Sequence, residues 1–339
     1  MPKKAKIAAI ALATFVHGLT LYFAVAGILG IHTTILTAIF QIGTLLIGLY
    51  YTLYNPEARR KLFRIGFFEI LYFAFMILIG FDLVTMKDQS NLPDNFVIYT
   101  SVYWFALILL RSLSFDQLRI FCYVTTCLAT LTSSILFVQV ITGSASLVDN
   151  GGRLSVGTSG NPIIAGYTGA YCCLARLILW IRIQILVQMF TGGGGGDMSI
   201  QGREALYATA IEAINDNPVF GKGLYAAGGA HNVFLQVTAE FGLLGVITFI
   251  LPFLLLIYQV FNTLTSAIAS TSSWSYHTAS KFLRSDYWMV SSFAVVMLVQ
   301  GISMFSFHGD PYRSYLPIAS IGILIAFLRL NHRSLQKFK

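Results

Sequence analysis

Long apolar runs, separated by short polar connectors, set the pattern of this chain. A helix needs about 20 apolar residues to cross a hydrocarbon core of about 30 Å, and most of the runs approach that length. The run at 97–111 is rather short. The pattern predicts transmembrane helices at about 7–29, 31–54, 65–84, 97–111, 118–142, 233–260, 287–307 and 314–328.

The first run has a second interpretation. It follows three lysines, and Ala24-Val25-Ala26 near its end resembles the cleavage site of a signal peptide. The run is long for a signal peptide, however, and the next run begins almost at once. We therefore expect an uncleaved first helix.

Composition narrows the class of protein. Hydrophobic residues make up 56% of the 339, charged residues only 11%, and the mean hydropathy is +0.72, which excludes an ordinary soluble domain. We expect an all-α, polytopic transmembrane helical bundle. The net charge of +8 is explained by basic anchors beside the spans and needs no nucleic acid partner. The cysteines lie in apolar runs without metal-ligand spacing, which favours packing over disulfides or zinc, and they are Cys122, Cys127, Cys172 and Cys173.

Basic connectors orient the spans. The connector 55–64 carries four basic residues, whereas 85–96 carries one lysine against two aspartates. The positive-inside rule puts the first in the cytoplasm and the second outside. Counting onward puts 143–162 outside, and counting back from the basic C-terminal tail puts 308–313 and 191–232 outside as well.

The two counts leave a discrepancy. Two external segments must be joined by an even number of crossings, yet the intervening residues 163–190 are long enough for only one. Five consecutive glycines follow at 192–196, a composition typical of flexible linkers. We infer that at least one span is absent here and that the glycine run stands in its place. The alternatives are a re-entrant hairpin at 163–190, tolerated only if buried in protein, or an error in the count.

The stretch 202–245 is neither a plain span nor a short connector. Its first part has helical spacing, which predicts a short amphipathic helix with Arg203 in the first turn, on the stripe that faces inward. The apolar members of that stripe are Tyr207, Ala210 and Ile214. Proline disfavours the helical conformation in the preceding residue, so the helix is expected to end at Asn217-Pro218.

A glycine-rich turn leads to a second, apolar helix that opens at His231-Asn232. Asn232, Gln236 and Glu240 drift only about 40° per step round that helix and form a polar seam. An ionisable residue within a span is a functional candidate, so Glu240 would orient His231 or line an acceptor path, with a helix-packing hydrogen bond as the alternative. The two following glycines are expected to permit close helix contact, and they are Gly242 and Gly245.

An ordered set of motifs between about 145 and 260 resembles the O-antigen ligase and O-antigen polymerase superfamily. Each motif alone is weak, but their order is fairly specific, and the N-terminal spans match only in kind. The motifs are Gly152-Arg153-Leu154, Gly157-Thr158-Ser159-Gly160-Asn161-Pro162, Gly202-Arg203-Glu204-Ala205-Leu206, Asp216-Asn217-Pro218-Val219-Phe220-Gly221-Lys222-Gly223, and His231-Asn232 followed by Gly242 and Gly245-Val246.

The resemblance implies a multi-pass glycosyltransferase of the bacterial inner membrane, with periplasmic loops, a short periplasmic amphipathic helix and an active site that faces the periplasm. Its donor would be a glycan on undecaprenyl diphosphate. The acceptor would be a sugar hydroxyl of lipid A-core in a ligase, or of another carrier-linked glycan in a polymerase. Membrane lipids are the other partners, and no cofactor is implied. The chain then divides into N-terminal spans at 1–142, a catalytic region at 143–261, and C-terminal spans with a basic tail at 262–339.

The implied catalytic residues suit this chemistry. Arg153 and Arg203 could hold the diphosphate through planar guanidinium forks, helped by a helix N-terminus. His231 could remove the proton of the acceptor hydroxyl as general base. No pair of carboxylates in a DxD-like arrangement lies on the external segments, so the sequence requires no metal ion. The candidate substrate-binding residues are Asn232, Gln236, Glu240 and Arg313.

Each assignment has an alternative without catalysis. Arg153 could be a solvated or lipid-anchoring loop residue, Arg203 could reach phospholipid headgroups, and His231 could cap a helix. For the whole chain, the main rival is a transporter or flippase of lipid-linked sugars. Such carriers commonly contain internal repeats; the chain has none that we find, and its polar residues concentrate at one external face. A catalytically inactive structural membrane protein is the third possibility.

Overall fold

The computed structural model of this chain describes residues 3–29, 34–85, 96–142, 198–228, 230, 232–271, 286–307 and 315–334. Within these ranges every regular element is a helix, and no strand is present. The elements are α1 (Lys3–Leu29), α2 (Thr34–Leu53), α3 (Pro56–Leu62), α4 (Phe67–Thr85), α5 (Phe96–Leu110), α6 (Phe115–Ile141), α7 (Met198–Asp216), α8 (Val233–Gly245), a π-helical turn (Val246–Ile250), α9 (Leu251–Thr271), α10 (Asp286–Phe307) and α11 (Tyr315–Ser334).

The all-helical class is confirmed for the described residues, and the described part of each of the eight predicted apolar runs is helical apart from one or two residues at its ends. Two differences concern the connectors. The basic connector 55–64 contains the short helix α3, and α9 continues to Thr271, well into the connector predicted after 260. The segments 143–162 and 163–190 and the glycine run lie outside the described residues, so the inferred missing span stays a prediction.

The chain divides into two compact units, each built from separated parts of the sequence. One comprises the described residues of Met1–Arg59 and Leu113–Gly193, and the other those of Arg60–Ser112 and Gly194–Lys339. The division into three consecutive regions at 142 and 261 follows the order of the motifs instead and stays a prediction.

In the first unit, α1 packs against both α2 and α6. Small residues on α1 make this close packing possible, since Ala8, Ala9 and Ala13 are fully buried. At the start of α6, Gln117 and Ser114 exchange side-chain hydrogen bonds with each other's amides in a capping box. The amide nitrogen of the same Gln117 side chain reaches the carbonyl oxygen of Ala5 at 3.3 Å, which ties α6 to α1.

In the second unit, aromatic side chains form the centre of the packing. Tyr72 and Phe75 of α4 meet Trp104 of α5 and Phe249 of the π-helical turn, with ring centroids 4.6 to 6.3 Å apart. Offset and edge-to-face aromatic pairs of this kind add about 0.5–1.5 kcal/mol beyond the area that they bury. The remaining helices of the unit pair as α7 with α8, α5 with α11, α9 with α11, and α10 with α11.

A buried ionic network joins one end of these helices. Glu69 in the first turn of α4 is only 2% exposed and accepts from Nη1 of Arg111, which follows α5, at 3.0 Å. The same carboxylate also pairs with Nη2 of Arg329 on α11. The two guanidinium groups donate in turn to the carbonyl oxygens of Leu62 and Arg64, in the connection between α3 and α4.

Two helical segments among the described residues are long and apolar enough to cross a membrane, Phe67–Thr85 and Val233–Ser266. Each of the two segments exposes a row of large apolar side chains. On α4, the buried residues Tyr72, Phe75 and Ile79 lie opposite an exposed apolar stripe. That α4 stripe consists of Phe67, Ile70, Phe73, Ile77, Phe81 and Val84, and the corresponding stripe of the second segment consists of Leu243, Ile247, Leu251, Leu254, Tyr258 and Phe261.

Candidate functional site

Helix α7 has the amphipathic character that the spacing predicts. Ala210 and Ala213 are buried and Tyr207 and Ile214 partly buried along one face, whereas the opposite face exposes charged residues such as Glu212. The helix ends at Asp216, directly before Asn217-Pro218, as predicted. The predicted inward stripe is therefore confirmed from Tyr207 onward.

The predicted start of this helix is wrong. The helix begins at Met198, so Arg203 is its sixth residue and lies in the second turn. Only the first four amides of a helix lack an internal acceptor, so the unbonded amides precede Arg203 and do not include its own. The helix continues through Gly202, because a glycine inside a helix costs only about 1 kcal/mol. The Arg203 side chain lies outside the described residues.

The turn after α7 is held by four successive backbone amides, which we call the amide row (residues 222–225). The amides of Lys222 and Gly223 donate to the carbonyl oxygens of Ala239 and Glu240 in α8, each at 2.9 Å. The amide of Leu224 donates to Oδ2 of Asp82 on α4 at 2.5 Å, and that of Tyr225 to Oε1 of Glu240 at 2.9 Å. Two carboxylates from two different helices thus complete the set of acceptors.

Helix α8 is interrupted where it meets this turn. Gly242 has φ 56° and ψ −147°, a combination essentially confined to glycine. The amides of Leu243 and Leu244 beyond the break donate to the carbonyl oxygens of Pro218 and Val219 at 2.9 and 3.4 Å. The turn therefore supplies partners for backbone groups that the interruption would leave open.

Two glycines make this approach possible. A Cβ on Gly221 would lie 2.2 Å from the carbonyl oxygen of Glu240, and a Cβ on Gly242 would lie 2.5 Å from the backbone of Val219. The predicted role of Gly242 in contact between two helices is thus corrected, because its neighbour is the backbone of the turn. At Gly245, a Cβ would meet Val237 and Phe241 of the preceding part of α8 at 2.8 Å.

The polar seam of α8 lies where the sequence predicts it. Asn232 is the N-cap of α8, and its Oδ1 accepts from the amides of Phe234 and Leu235 at 3.0 and 3.2 Å. Gln236 and Glu240 are both buried, with Nε2 of Gln236 donating to Oε1 of Glu240 at 3.1 Å. Asn232 therefore stabilises the helix start, and Glu240 joins α8 to the amide row.

The chain on either side of position 231 packs against α7. Ala230 is fully buried in a cluster of alanines that α7, the turn and α8 build together. Its members are Ala210, Ala213, Ala227, Ala230 and Ala239, with Tyr207 and Leu235 packed against them. His231, Arg153 and Arg313 lie outside the described residues, so the structure brings together the helix that carries Arg203, the turn and the N-cap Asn232.

Asp82 is the residue of this region that sequence reasoning missed. It lies 142 positions before its hydrogen-bond partner Leu224, and no local spacing connects the two. The available signal was a lone carboxylate near the C-terminal end of an apolar run, which marks a functional or packing role.

An exposed ion pair joins the turn to the end of α7. The Lys222 ammonium binds the Asp216 carboxylate at the end of α7. Hydrogen bonding to Asp216 raises the pKa of Lys222 above its ordinary value. The ammonium group is therefore charged throughout the neutral range.

No group of three or more His, Cys, Asp or Glu side chains in the described ranges is arranged to hold a metal ion.

Comparisons of the chain with protein-family models, with curated proteins and with solved structures find no match.

Proposed function

We propose that this chain is a multi-pass membrane glycosyltransferase of the O-antigen ligase type. It would transfer a glycan from undecaprenyl diphosphate to a sugar hydroxyl of lipid A-core, on the periplasmic side of a bacterial inner membrane. A polymerase of the same superfamily would use the same donor and a carrier-linked glycan as acceptor.

The observation that carries the proposal is the joint packing of α7, the turn and the start of α8. The alanine cluster and the amide row hold these three segments as one scaffold. Catalytic groups need such support, because a displacement of about 1 Å can cost about 100-fold in rate. The segments so joined are those that carry Arg203 and precede and follow His231.

The exposed apolar stripes support a location in the membrane. The stripe on α4 runs from Phe67 to Val84, which corresponds to about 26 Å along a helix and is close to the thickness of a hydrocarbon core. A helix in water would expose polar residues on that face. Lipid is the environment in which such a face is stable.

The two ends of α4 support the proposed orientation. Glu69 and its arginine network lie near the start of this helix, beside the basic connector, whereas Asp82 holds the turn near its end. If the basic connector is cytoplasmic, the turn and the start of α8 lie at the opposite, periplasmic end.

The proposed reaction assigns one step to each group. His231 would take the proton of the acceptor hydroxyl as its oxygen attacks the anomeric carbon. The bond from that carbon to the phosphate oxygen breaks, and the electron pair leaves with the diphosphate. Arg203 and Arg153 would stabilise the negative charge on that leaving group through bidentate hydrogen bonds.

A transporter of lipid-linked sugars is the second candidate, because the interruption of α8 at Gly242 is a feature of carriers whose substrate sites lie at broken helices. In this chain the open backbone groups at the break are bonded to the turn, so they are not available to a substrate. Transfer of glycan by purified protein separates the two functions, since a transporter forms no new glycosidic bond.

The direct test is to incubate purified protein with a carrier-linked glycan and either lipid A-core or a second carrier-linked glycan. The proposal expects a new glycan-bearing product on lipid A-core, and the same yield in EDTA. Product only on the carrier-linked acceptor would assign a polymerase. Movement of the glycan lipid across vesicles without any product would support the transporter. Loss of product in EDTA, restored by a divalent cation, would contradict the metal-independent mechanism.

A further inference from the structure

Along the connection between α3 and α4, carbonyl oxygens that bond to a buried arginine alternate with exposed apolar side chains. The carbonyl oxygen of Leu62 accepts from Nη2 of Arg111 at 2.8 Å, and that of Arg64 accepts from Nη1 of Arg111 at 2.9 Å. The apolar side chains between and after them are exposed, with Phe63 at 73% and Ile65 at 58%. The buried guanidinium group of Arg111 therefore fixes which side chains this connection presents.

The network beneath the connection is firmly held. Glu69 accepts from Arg111 and Arg329 and, through Oε2, from the amide of Gly66 at 3.0 Å. Arg329 also donates to the carbonyl oxygen of Arg64 at 3.1 Å. Arg111 and Glu69 are almost fully buried, so this end of the unit cannot rearrange without leaving a buried charge unpaired.

The exposed surface of the connection is strongly basic. Residues 60–67 contain Arg60, Lys61 and Arg64 and no acidic residue, and both arginines are exposed. Beneath them, one carboxylate faces two guanidinium groups, which leaves a further net positive charge. The surface therefore attracts anions.

The basic surface adjoins the apolar stripe of α4. Phe67 begins that stripe and is 59% exposed, and the exposed Phe63 and Ile65 come directly before it in the chain. A lipid molecule whose acyl chain lies along the stripe would have its phosphate beside Arg60 and Arg64. Arginine matches phosphate geometrically through its planar fork of donors.

We propose that residues 60–67 bind the headgroup of an anionic phospholipid at the membrane surface. Arg60 and Arg64 contact the phosphate, while Phe63, Ile65 and Phe67 enter the acyl boundary. The absence of acidic residues from the segment favours a lipid with net negative charge over a zwitterionic one, because it offers nothing to a positively charged choline. The inference rests on the proposed membrane location and not on glycosyl transfer.

The test measures lipid affinity of purified protein in a neutral detergent, by native mass spectrometry or thermal shift. The probes are dioleoyl phosphatidylglycerol, dioleoyl phosphatidylcholine and inorganic phosphate. We expect tighter binding of phosphatidylglycerol than of phosphatidylcholine, and no competition from inorganic phosphate at equal concentration. An arginine near an anionic surface is worth about 1 kcal/mol, so Arg64→Gln should weaken phosphatidylglycerol about fivefold and Arg60→Gln with Arg64→Gln about 30-fold.

The controls separate this site from general charge attraction. Arg119→Gln with Lys222→Gln removes two partly exposed positive charges elsewhere and should leave the affinity unchanged. Phe63→Ser should weaken both lipids alike. The proposal is overturned if the Arg60 and Arg64 variants bind phosphatidylglycerol as the parent does, if the control pair loses as much affinity, or if inorganic phosphate displaces the lipid. Recovery of the protein in solution without detergent would instead contradict the membrane location itself.

Discussion

At the scale of single residues, close backbone contacts and buried charges determine which positions tolerate substitution. Gly221 and Gly242 lie where the turn and the interrupted helix touch through their main chains. Glu69 is the single carboxylate between Arg111 and Arg329. These positions are sensitive for different reasons, since the glycines leave no volume for a side chain and the carboxylate balances buried charge.

Gly242→Ala should destabilise the folded protein by more than about 2 kcal/mol. The backbone conformation there is essentially confined to glycine, which alone costs about 1–3 kcal/mol, and the new Cβ would overlap the backbone of Val219. Thermal unfolding in detergent measures the loss. Gly80→Ala on α4 is the matched control, because a Cβ there meets nothing within 4 Å, and helix propensity predicts a gain of up to about 1 kcal/mol. Equal unfolding temperatures for the two variants would contradict the observed break.

Glu69→Gln should lower the free energy of unfolding by about 3–5 kcal/mol. Removal of the carboxylate leaves the buried guanidinium of Arg111 and the partly buried guanidinium of Arg329 without a counter-charge. The control is Asp116→Asn in the exposed pair with Arg119, where the atoms are 4.0 Å apart and the expected loss is below about 1 kcal/mol. Denaturant unfolding measures the free energy of unfolding of both variants. A Glu69→Gln variant as stable as the Asp116→Asn variant would rule out the structural role of the network.

At the scale of elements, the α7–turn–α8 scaffold depends on contacts between distant parts of the chain. Asp82 of α4 and Glu240 of α8 bind adjacent amides of the turn. These two hydrogen bonds tie the position of the turn to the two helical segments that are long enough to cross a membrane. Its rigidity should depend on both carboxylates.

Asp82→Ala should speed amide hydrogen exchange in the amide row, most strongly at Leu224, which loses its acceptor. Exchange at Lys222 and Gly223 should change less, since their acceptors are backbone carbonyl oxygens of α8. Mass spectrometry of peptides that cover 218–230 provides the readout, with Asp116→Ala as the control. Unchanged exchange at Leu224 would show that Asp82 does not hold the turn.

The sequence predicts helices well where local spacing determines them. Apolar runs locate the helices, Asn217-Pro218 ends α7, and Asn232 begins α8 as its cap. It fails where a distant partner decides the local structure. A glycine inside an apolar run is typical of helix packing, so the break at Gly242 was not expected, because the groups that satisfy it come from a turn about 20 residues earlier. Likewise, the start of α7 depends on residues before Gly202 that carry no distinctive signal.

At the scale of the whole molecule, two chemically different clusters lie at opposite ends of α4. Glu69 and Asp82 are 13 positions apart on one helix, which corresponds to about 20 Å. The first cluster adjoins the basic connector and the second adjoins the turn. Their separation by a membrane is the orientation that the proposed function requires.

Labelling of single cysteines with an impermeant reagent tests that orientation in a background without the four native cysteines. Lys222→Cys in the turn should react from the periplasmic side of intact cells, together with cysteines placed near Arg153 and Asp310. Arg60→Cys should react only after the cytoplasmic face is opened. Reaction of both Lys222→Cys and Arg60→Cys from the same side would contradict the orientation of α4 across the membrane.

The most direct test of the proposed site compares donor affinity and single-turnover transfer in folded, matched variants. His231→Ala should bind the carrier-linked glycan almost normally and transfer it about 10²–10⁴-fold more slowly, the usual scale for loss of a general base. Arg203→Lys and Arg153→Ala should both weaken donor binding, because neither retains the bidentate fork. Full transfer by folded His231→Ala would remove the base, and unchanged donor affinity in both arginine variants would remove the diphosphate site.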